Sequence, residues 1–317
     1  MQKILFVRKF KKPSGGQFKV RDYFAHCRHH PELAPYLYFT PDSKWQSGGF
    51  WREVPEDRIV KEANLEKYDF IFLAGRDWEY VPEIPRDLRI INYIQHVKHA
   101  DPGDRRFQYL RRPAWRICVS KEVAAAIAPF ATGEISVIAN GIPLELFAAA
   151  PKHENSVFIL ANKNPALGAK LFEALQPRNR RVSLNVDFIA REDLARRMKT
   201  CDIFVALPNR TEGFYLPALE AMASGCAVVC SDAVGNRSFC MHEKTCLMPA
   251  FDDAEDYLQM IEKLLAPSAL KETIRRRGRE IAPTFSLESE RKNFYVLLEK
   301  FLKAQAAGLS PCVQTSD

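Results

Sequence analysis

The stretch Thr211-Glu212-Gly213-Phe214-Tyr215-Leu216-Pro217-Ala218-Leu219-Glu220-Ala221-Met222-Ala223-Ser224-Gly225, with the apolar run Ala227-Val228-Val229-Cys230 close behind it, decides how this chain reads. The apolar spacing over 215–224 is helical, Gly225 is a helix stop, and the small and β-branched residues after it make a short buried strand. At Gly213 no side chain keeps a ligand from the backbone, and the first N–H groups of a helix have no partner inside it. Such a turn suits a pyrophosphate-like anion. On helical geometry Glu220 lies ~12 Å along the axis from Glu212 and a little over two turns on, which returns it to the same side. Two carboxylates would then bracket the opening turns, each offered to hydroxyl groups, with a diphosphate between them. A solvated Glu212 and a capped Glu220 are the plain alternative.

Outward from this helix, short apolar runs alternate with amphipathic helical stretches, the pattern of a parallel sheet covered on both faces. In the second half the expected strands are 156–160, 182–186, 203–206 and 227–230, with helices at 166–175, 191–199 and 215–224. In the first half they are 3–7, 70–73, 90–94 and 117–119, with helices at 18–27 and 121–128. Pro151 and its polar neighbours interrupt the pattern at 148–156, so the join is expected there. The reading is α/β: two Rossmann-like domains facing across a cleft, with ligands at the carboxyl ends of both sheets. Residues 1–147 form an acceptor-side domain and 148–282 a donor domain. After Pro283, Leu287, Phe294, Leu297, Leu298 and Phe301 recur at helical spacing. That predicts a terminal helix over 283–305 packing back on the first domain, followed by a disordered tail at 306–317.

A chain of 317 residues is long enough for two cores, and 47% hydrophobic with 27% charged residues is the composition of a soluble globular protein. No apolar stretch approaches the ~18 residues that span a bilayer, and the four apolar residues before Arg8 are too few for a secretory leader. A cytoplasmic location is expected. The eight cysteines show no CxxC and no zinc-type spacing with histidine, so they read as reduced buried thiols and no metal is expected. The net charge of +7 favours anionic partners. It is concentrated in the first half: seven Lys/Arg face one acid, Asp22, between Arg8 and Arg28, and Arg105, Arg106, Arg111, Arg112 and Arg116 form a second group. No helix-turn-helix, zinc or RNP-like signature accompanies these charges, which argues against nucleic acid.

The sequence EGFYLPALEAMASGCAVVCSD resembles the donor-site motif of the retaining GT-B glycosyltransferases of group 1 (family 4-like), whose pattern is close to EGFGLPxLEAMAxGxPVVxS. Other matching pieces follow in the family's order: VSKEVAAAI and ISVIANGIPLELF within 119–147, REDLARRMKTCDIFVALPNRTEGF at 191–214, and FSLESERKNF near the end. The resemblance covers roughly 115–300 and is loose before that. It implies a retaining hexosyltransferase that takes a nucleoside diphosphate sugar as co-substrate, without cofactor, in cell-surface glycan or glycolipid synthesis. Glu212 would contact the donor sugar near the reacting carbon, Glu220 the ribose, and the amides of Phe214, Tyr215 and Leu216 the sugar and phosphate. Two departures stand out. Tyr215 replaces the family's second glycine and should reshape the sugar pocket. The family's GR…KG pair, which holds the diphosphate, becomes Asn162 and Leu167 when aligned on Gly168, so Lys163 and Lys170 are the expected replacements.

In the first half, Pro13-Ser14-Gly15-Gly16 is a glycine turn after a strand, where Gly15 and Gly16 could admit the transferred group or the diphosphate. A plain loop is the alternative. After the strand at 90–94, His96 is the candidate to touch the donor sugar, with His99 the second choice and Asp101 a polar neighbour. Trp45, Phe50 and Trp51 flank Ser47-Gly48-Gly49 and could stack on an acceptor sugar, enter a membrane interface or pack in a core. With Lys11 and Lys12 nearby, the basic first half favours a phosphorylated acceptor or an anionic membrane surface on the inner face of the cell membrane. The acceptor class is a glycan, glycolipid or other hydroxyl compound. The competing readings are a nucleotide-sugar epimerase of the same architecture, or a binding protein that has lost turnover, for which Asn162 and Leu167 argue.

Overall fold

The computed structural model describes residues 1–46, 49–81, 83–85, 87–177 and 181–306. The chain forms two compact units, Met1–Ala139 together with the chain from Glu290 onward, and Asn140–Ser289.

The first unit is built on β1 (Gln2–Arg8), α1 (Gly15–Arg28), β2 (Leu33–Phe39), β3 (Ile59–Val60), β4 (Phe70–Ala74), β5 (Arg89–Ile94), β6 (Trp115–Cys118), α2 (Lys121–Ile127) and β7 (Ile135–Val137). All seven strands are parallel, in the order β3-β2-β1-β4-β5-β6-β7. Ile4, Leu5, Phe6 and Val7 are fully buried, as a central parallel strand covered on both faces requires. β2 was not among the expected strands, and it holds Pro35. Pro35 is tolerated because β3 pairs only with Leu37 and Tyr38, leaving the proline position outside that ladder.

The second unit comprises β8 (His153–Leu160), α3 (Pro165–Leu175), β9 (Val182–Asn185), α4 (Arg191–Thr200), β10 (Cys201–Ala206), α5 (Leu216–Ala223), β11 (Ala227–Cys230), α6 (Ala254–Leu265) and α7 (Ala269–Ile281). Its four parallel strands run β11-β10-β8-β9. α8 (Leu287–Ala306) follows, and most of it belongs to the first unit. There Phe294 packs against Tyr23 and Trp115, and Phe301 against Phe70 and Trp115. Glu290, buried on the same helix, takes hydrogen bonds from Lys19 at 2.8 Å and pairs with His26 at 3.0 Å. The terminal helix thus packs on the first unit, as its apolar spacing predicts.

The expected join at 148–156 is corrected: the units divide between Ala139 and Asn140, and 153–156 already belong to β8. The first residues of that strand are polar and exposed, so they read as linker, and Asn155 sits at a left-handed φ of 57° beside a register shift. The expected tail beyond Ala306 lies outside the described residues. Among the described residues the seven cysteines are free and buried, and no helix is long and apolar enough to cross a membrane.

In each sheet the chain order reverses at one place. In the first unit this is between β1 and β4, in the second between β8 and β10. Loops leaving the carboxyl ends of such strand pairs are where open parallel sheets hold ligands.

Candidate active site

In the second unit the loops at the reversal carry Asn162 and Lys163 after β8, and Arg210 and Glu212 after β10. Glu212 is half-buried, and its Oε1 accepts from the Asn209 amide at 3.3 Å and Asn209 Nδ2 at 2.8 Å. Its carbonyl accepts from Gly235 N at 3.0 Å. A Cβ at Gly235 would lie 2.0 Å from the Gly213 carbonyl oxygen. Only glycine therefore allows the loop after β11 to lock the Glu212 turn, a role that sequence reading missed because Gly235 stands outside the motif.

The helix begins at Leu216, so Glu212 precedes it and the two-turn geometry expected between Glu212 and Glu220 is corrected to a turn followed by a helix. Leu216 N–H is bonded to the Phe214 carbonyl at 3.2 Å. Of the three amides expected to meet a ligand, this one is already used. Gly213, Phe214 and Tyr215 are buried. Among the described residues the Tyr215 hydroxyl has no hydrogen-bond partner, and burial raises its pKa, with Cys230, Glu212, Tyr257 and Glu220 as electrostatic neighbours. A buried hydroxyl left in that state costs about 1–3 kcal/mol, which a ligand oxygen within reach would recover.

Glu220 is not the open carboxylate the motif predicts. It is 3% exposed, and Arg191, at the start of α4, donates to its Oε1 from Nε at 3.1 Å and Nη2 at 2.7 Å. The guanidinium also lies over the Phe147 ring at 5.5 Å. Both arginine bonds go to one oxygen, so the carboxylate is held in a fixed orientation. Arg191 opens the helix expected at 191–199, and no sequence signal links it to Glu220.

The upstream departure is structural. Leu167 is buried in the core of this unit and cannot contact a phosphate. Gly168 is required by packing, since a Cβ there would meet Ala161 Cβ at 2.2 Å. Asn162, Lys163 and Lys170 are exposed, and neither lysine pairs with a carboxylate among the described residues. Lys163 leaves the end of β8, whereas Lys170 lies on α3. Asn164 caps α3 and donates to Asp252 at 2.7 Å, and next to Asp252 the Phe251 ring carries Arg210 at 4.2 Å. Arg210 is thus a further cation on this edge, two residues before Glu212.

The first unit places its candidates differently. His96 lies at the end of β5, partly exposed, and its Nδ1 accepts from Lys98 N at 3.1 Å, so a neutral ring carries its proton on Nε2. His99 is corrected: it is 4% exposed, and burial, with the Arg106 charge second, lowers its pKa to about 3. A neutral, enclosed ring is not available to a substrate. Asp101 is exposed and bonds Gly103 N at 2.9 Å. Ser14 caps α1 by accepting from Gln17 N at 3.3 Å, Gly15 opens the helix, and a Cβ at Gly16 would stand 3.0 Å from Gln95 Oε1. Lys11 and Lys12 are exposed on the preceding loop.

The aromatic group resolves as packing. Phe50 and Trp51 are 7% and 3% exposed, clustered with Phe10, and Trp45 stacks on Phe39 at 4.7 Å. Trp51 is therefore no platform for a sugar. Ser47 and Gly48 lie outside the described residues.

Residues 139–267 match the family model described as glycosyl transferases group 1. The D-inositol 3-phosphate glycosyltransferase of Jonesia denitrificans is 28% identical over 124 residues, which is 38% of this chain and 29% of that protein. The N,N'-diacetylbacillosaminyl-diphospho-undecaprenol alpha-1,3-N-acetylgalactosaminyltransferase of Campylobacter jejuni is 29% identical over 114 residues, 36% of this chain and 30% of that protein. The chain spans about a third of the length of the curated relatives it matches. Among solved structures, Anabaena HepE in complex with UDP and glucose is similar over 95% of this chain and 100% of that one, with a TM-score of 0.70 at 15% identity. Sucrose-phosphate synthase from Thermosynechococcus elongatus is similar over 96% and 100%, with a TM-score of 0.71 at 16% identity. The fold is GT-B, and residues 139–267 match the model of the group 1 glycosyltransferases.

Proposed function

We propose that this chain transfers a hexosyl group from a nucleoside diphosphate sugar to an acceptor hydroxyl, with retention at the anomeric carbon. The observation that carries the reading is the glycine-locked turn at Glu212, backed by a buried Glu220 that Arg191 holds in one orientation. A carboxylate fixed in this way is a hydroxyl acceptor, and ribose supplies the hydroxyls. In this reading the Glu212 carboxylate answers the positive charge that develops on the sugar, and His96 keeps its expected role as the histidine that touches the donor sugar. The cations for the leaving diphosphate are Lys163 and Arg210, aided by the Tyr215 hydroxyl and the amides before α5. Lys170 is the weaker choice, lying one helical turn inside α3.

HepE is described with UDP and glucose, and two of the relatives carry names of phosphate-bearing compounds. A cytoplasmic enzyme of cell-surface glycan or glycolipid synthesis, working at or near the inner membrane face, is the setting this reading favours. A nucleotide-sugar-binding protein without turnover is the second reading, because Leu167 is buried where the family's diphosphate lysine stands. A panel of UDP, GDP and TDP sugars separates them when nucleoside diphosphate release is followed with and without acceptor hydroxyls. Release from one donor, with an axial product from an axial donor by NMR, is the expected result. A new sugar isomer would mean an epimerase, and binding without release the second reading.

A further inference from the structure

In the first unit a cavity of ≈ 390 Å³ opens at the reversal between β1 and β4, beside the start of α1. Pockets of about 300–1,000 Å³ hold small ligands. Among the described residues its wall carries Arg8, Lys9, Lys11, Lys12 and Arg76 and a single carboxylate, Asp77. Asp77 is 1% exposed and already engaged by the Arg8 guanidinium, by Lys9 N at 3.2 Å and by Ala74 N at 2.9 Å. Lys9 Nζ reaches Asp42 at 2.6 Å, and Arg76 reaches Glu79 at 2.9 Å. Those three cations are answered locally. Lys11 and Lys12 pair with no carboxylate among the described residues, so they carry the uncompensated charge of the cavity.

The neutral groups on the wall are donors as well. Ser14 Oγ accepts from Gln17 N and so has its proton to give, and the amide of Gly16 lies at the start of α1, ahead of the first intrahelical bonds. The absence of a side chain at Gly16 is fixed by Gln95, whose Nε2 also donates to the Gly16 carbonyl at 3.4 Å.

We infer that this cavity binds a phosphate group of the acceptor, held by Lys11 and Lys12 with Ser14 and the Gly16 amide. The inference rests on the transferase reading for the word acceptor, since in that reading the donor's diphosphate is held by the second unit. The shared chemistry is a phosphate ester, which could belong to a soluble sugar phosphate or to a lipid headgroup.

The test uses the full chain and a K11Q/K12Q variant, with calorimetric titration of glucose 6-phosphate, glucose and UDP, and flotation on phosphatidylglycerol or phosphatidylcholine vesicles. The expected result is at least tenfold preference for the phosphorylated ligand, or for the anionic vesicle, lost in the variant while UDP affinity is retained. Preference for glucose 6-phosphate assigns a soluble acceptor, and preference for phosphatidylglycerol a lipid one. Indifference of wild type to phosphate in both arms, or unchanged binding by the variant, would overturn the inference. A variant that loses UDP affinity by the same factor would also overturn it, because the cavity would then be the donor's. If wild type binds no nucleoside diphosphate but keeps the phosphate preference, the donor reading fails and the anion site stands.

Discussion

The two sheets reverse their strand order in the same manner, yet the loops at the two reversals carry opposite chemistry. In the second unit the carboxylates Glu212 and Glu220 dominate, one on a glycine-locked turn and one clamped by Arg191, with Lys163 and Arg210 beside them. In the first unit, among the described residues, five cations line a cavity whose only carboxylate is buried and already bonded. Carboxylates serve as acceptors for sugar and ribose hydroxyls, whereas unpaired lysines serve phosphate. One architecture therefore presents two different recognition surfaces, and the difference lies in the loops rather than in the strands.

The largest effect is expected where the second unit's clamp is broken. Arg191→Met leaves Glu220 buried and unpaired, which should cost about 3–5 kcal/mol of stability in urea unfolding. A loss under about 1 kcal/mol would mean that the pair is not a clamp. Glu212→Gln should lower turnover by roughly a hundredfold, about 2.7 kcal/mol of barrier, with donor affinity within about threefold. Among the described residues its side chain bonds only Asn209, so thermal stability should barely move. Equal turnover in this variant would remove Glu212 from the reaction.

Lys163→Ala and Arg210→Ala should each weaken nucleoside diphosphate binding by about tenfold, or roughly 1.4 kcal/mol, and lessen its salt dependence. If Lys170→Ala has the larger effect, the diphosphate lies along α3 and not at the strand ends.

The first unit offers a test by pH rather than by ligand. His99 has an ordinary value of 6.5 when unfolded and about 3 when folded, because of burial next to Arg106. Between those values the unfolded chain holds one more proton. This contribution to stability is therefore complete above about pH 6.5 and declines as pH falls toward 3, by up to about 1.4 kcal/mol per pH unit. Replacing His99 with Gln should flatten the pH dependence of urea melts between pH 7 and pH 5; an unchanged slope would show that His99 is hydrated.

Much of this was legible because it is local. Continuous apolar runs such as Ile4–Val7 and Ala227–Cys230 became buried parallel strands, and the Glu212 motif is written in consecutive residues. What sequence reading missed depends on separation. Arg191 meets Glu220 across 29 positions, and Gly235 closes on Gly213 through a loop with no periodic pattern. His99 and Trp51 look like surface functional residues until burial is known. β2 was missed, and the Pro35 inside it is tolerated because β3, two residues long, does not pair at that position.

The most direct test of the central claim is equilibrium binding of UDP, GDP and TDP to the full chain, alongside Glu220→Ala. The account predicts that one of the three binds in the micromolar range and that the variant weakens it at least tenfold. Absence of binding by all three, or equal affinity in Glu220→Ala, would contradict the assignment of the second unit as the nucleotide-sugar site.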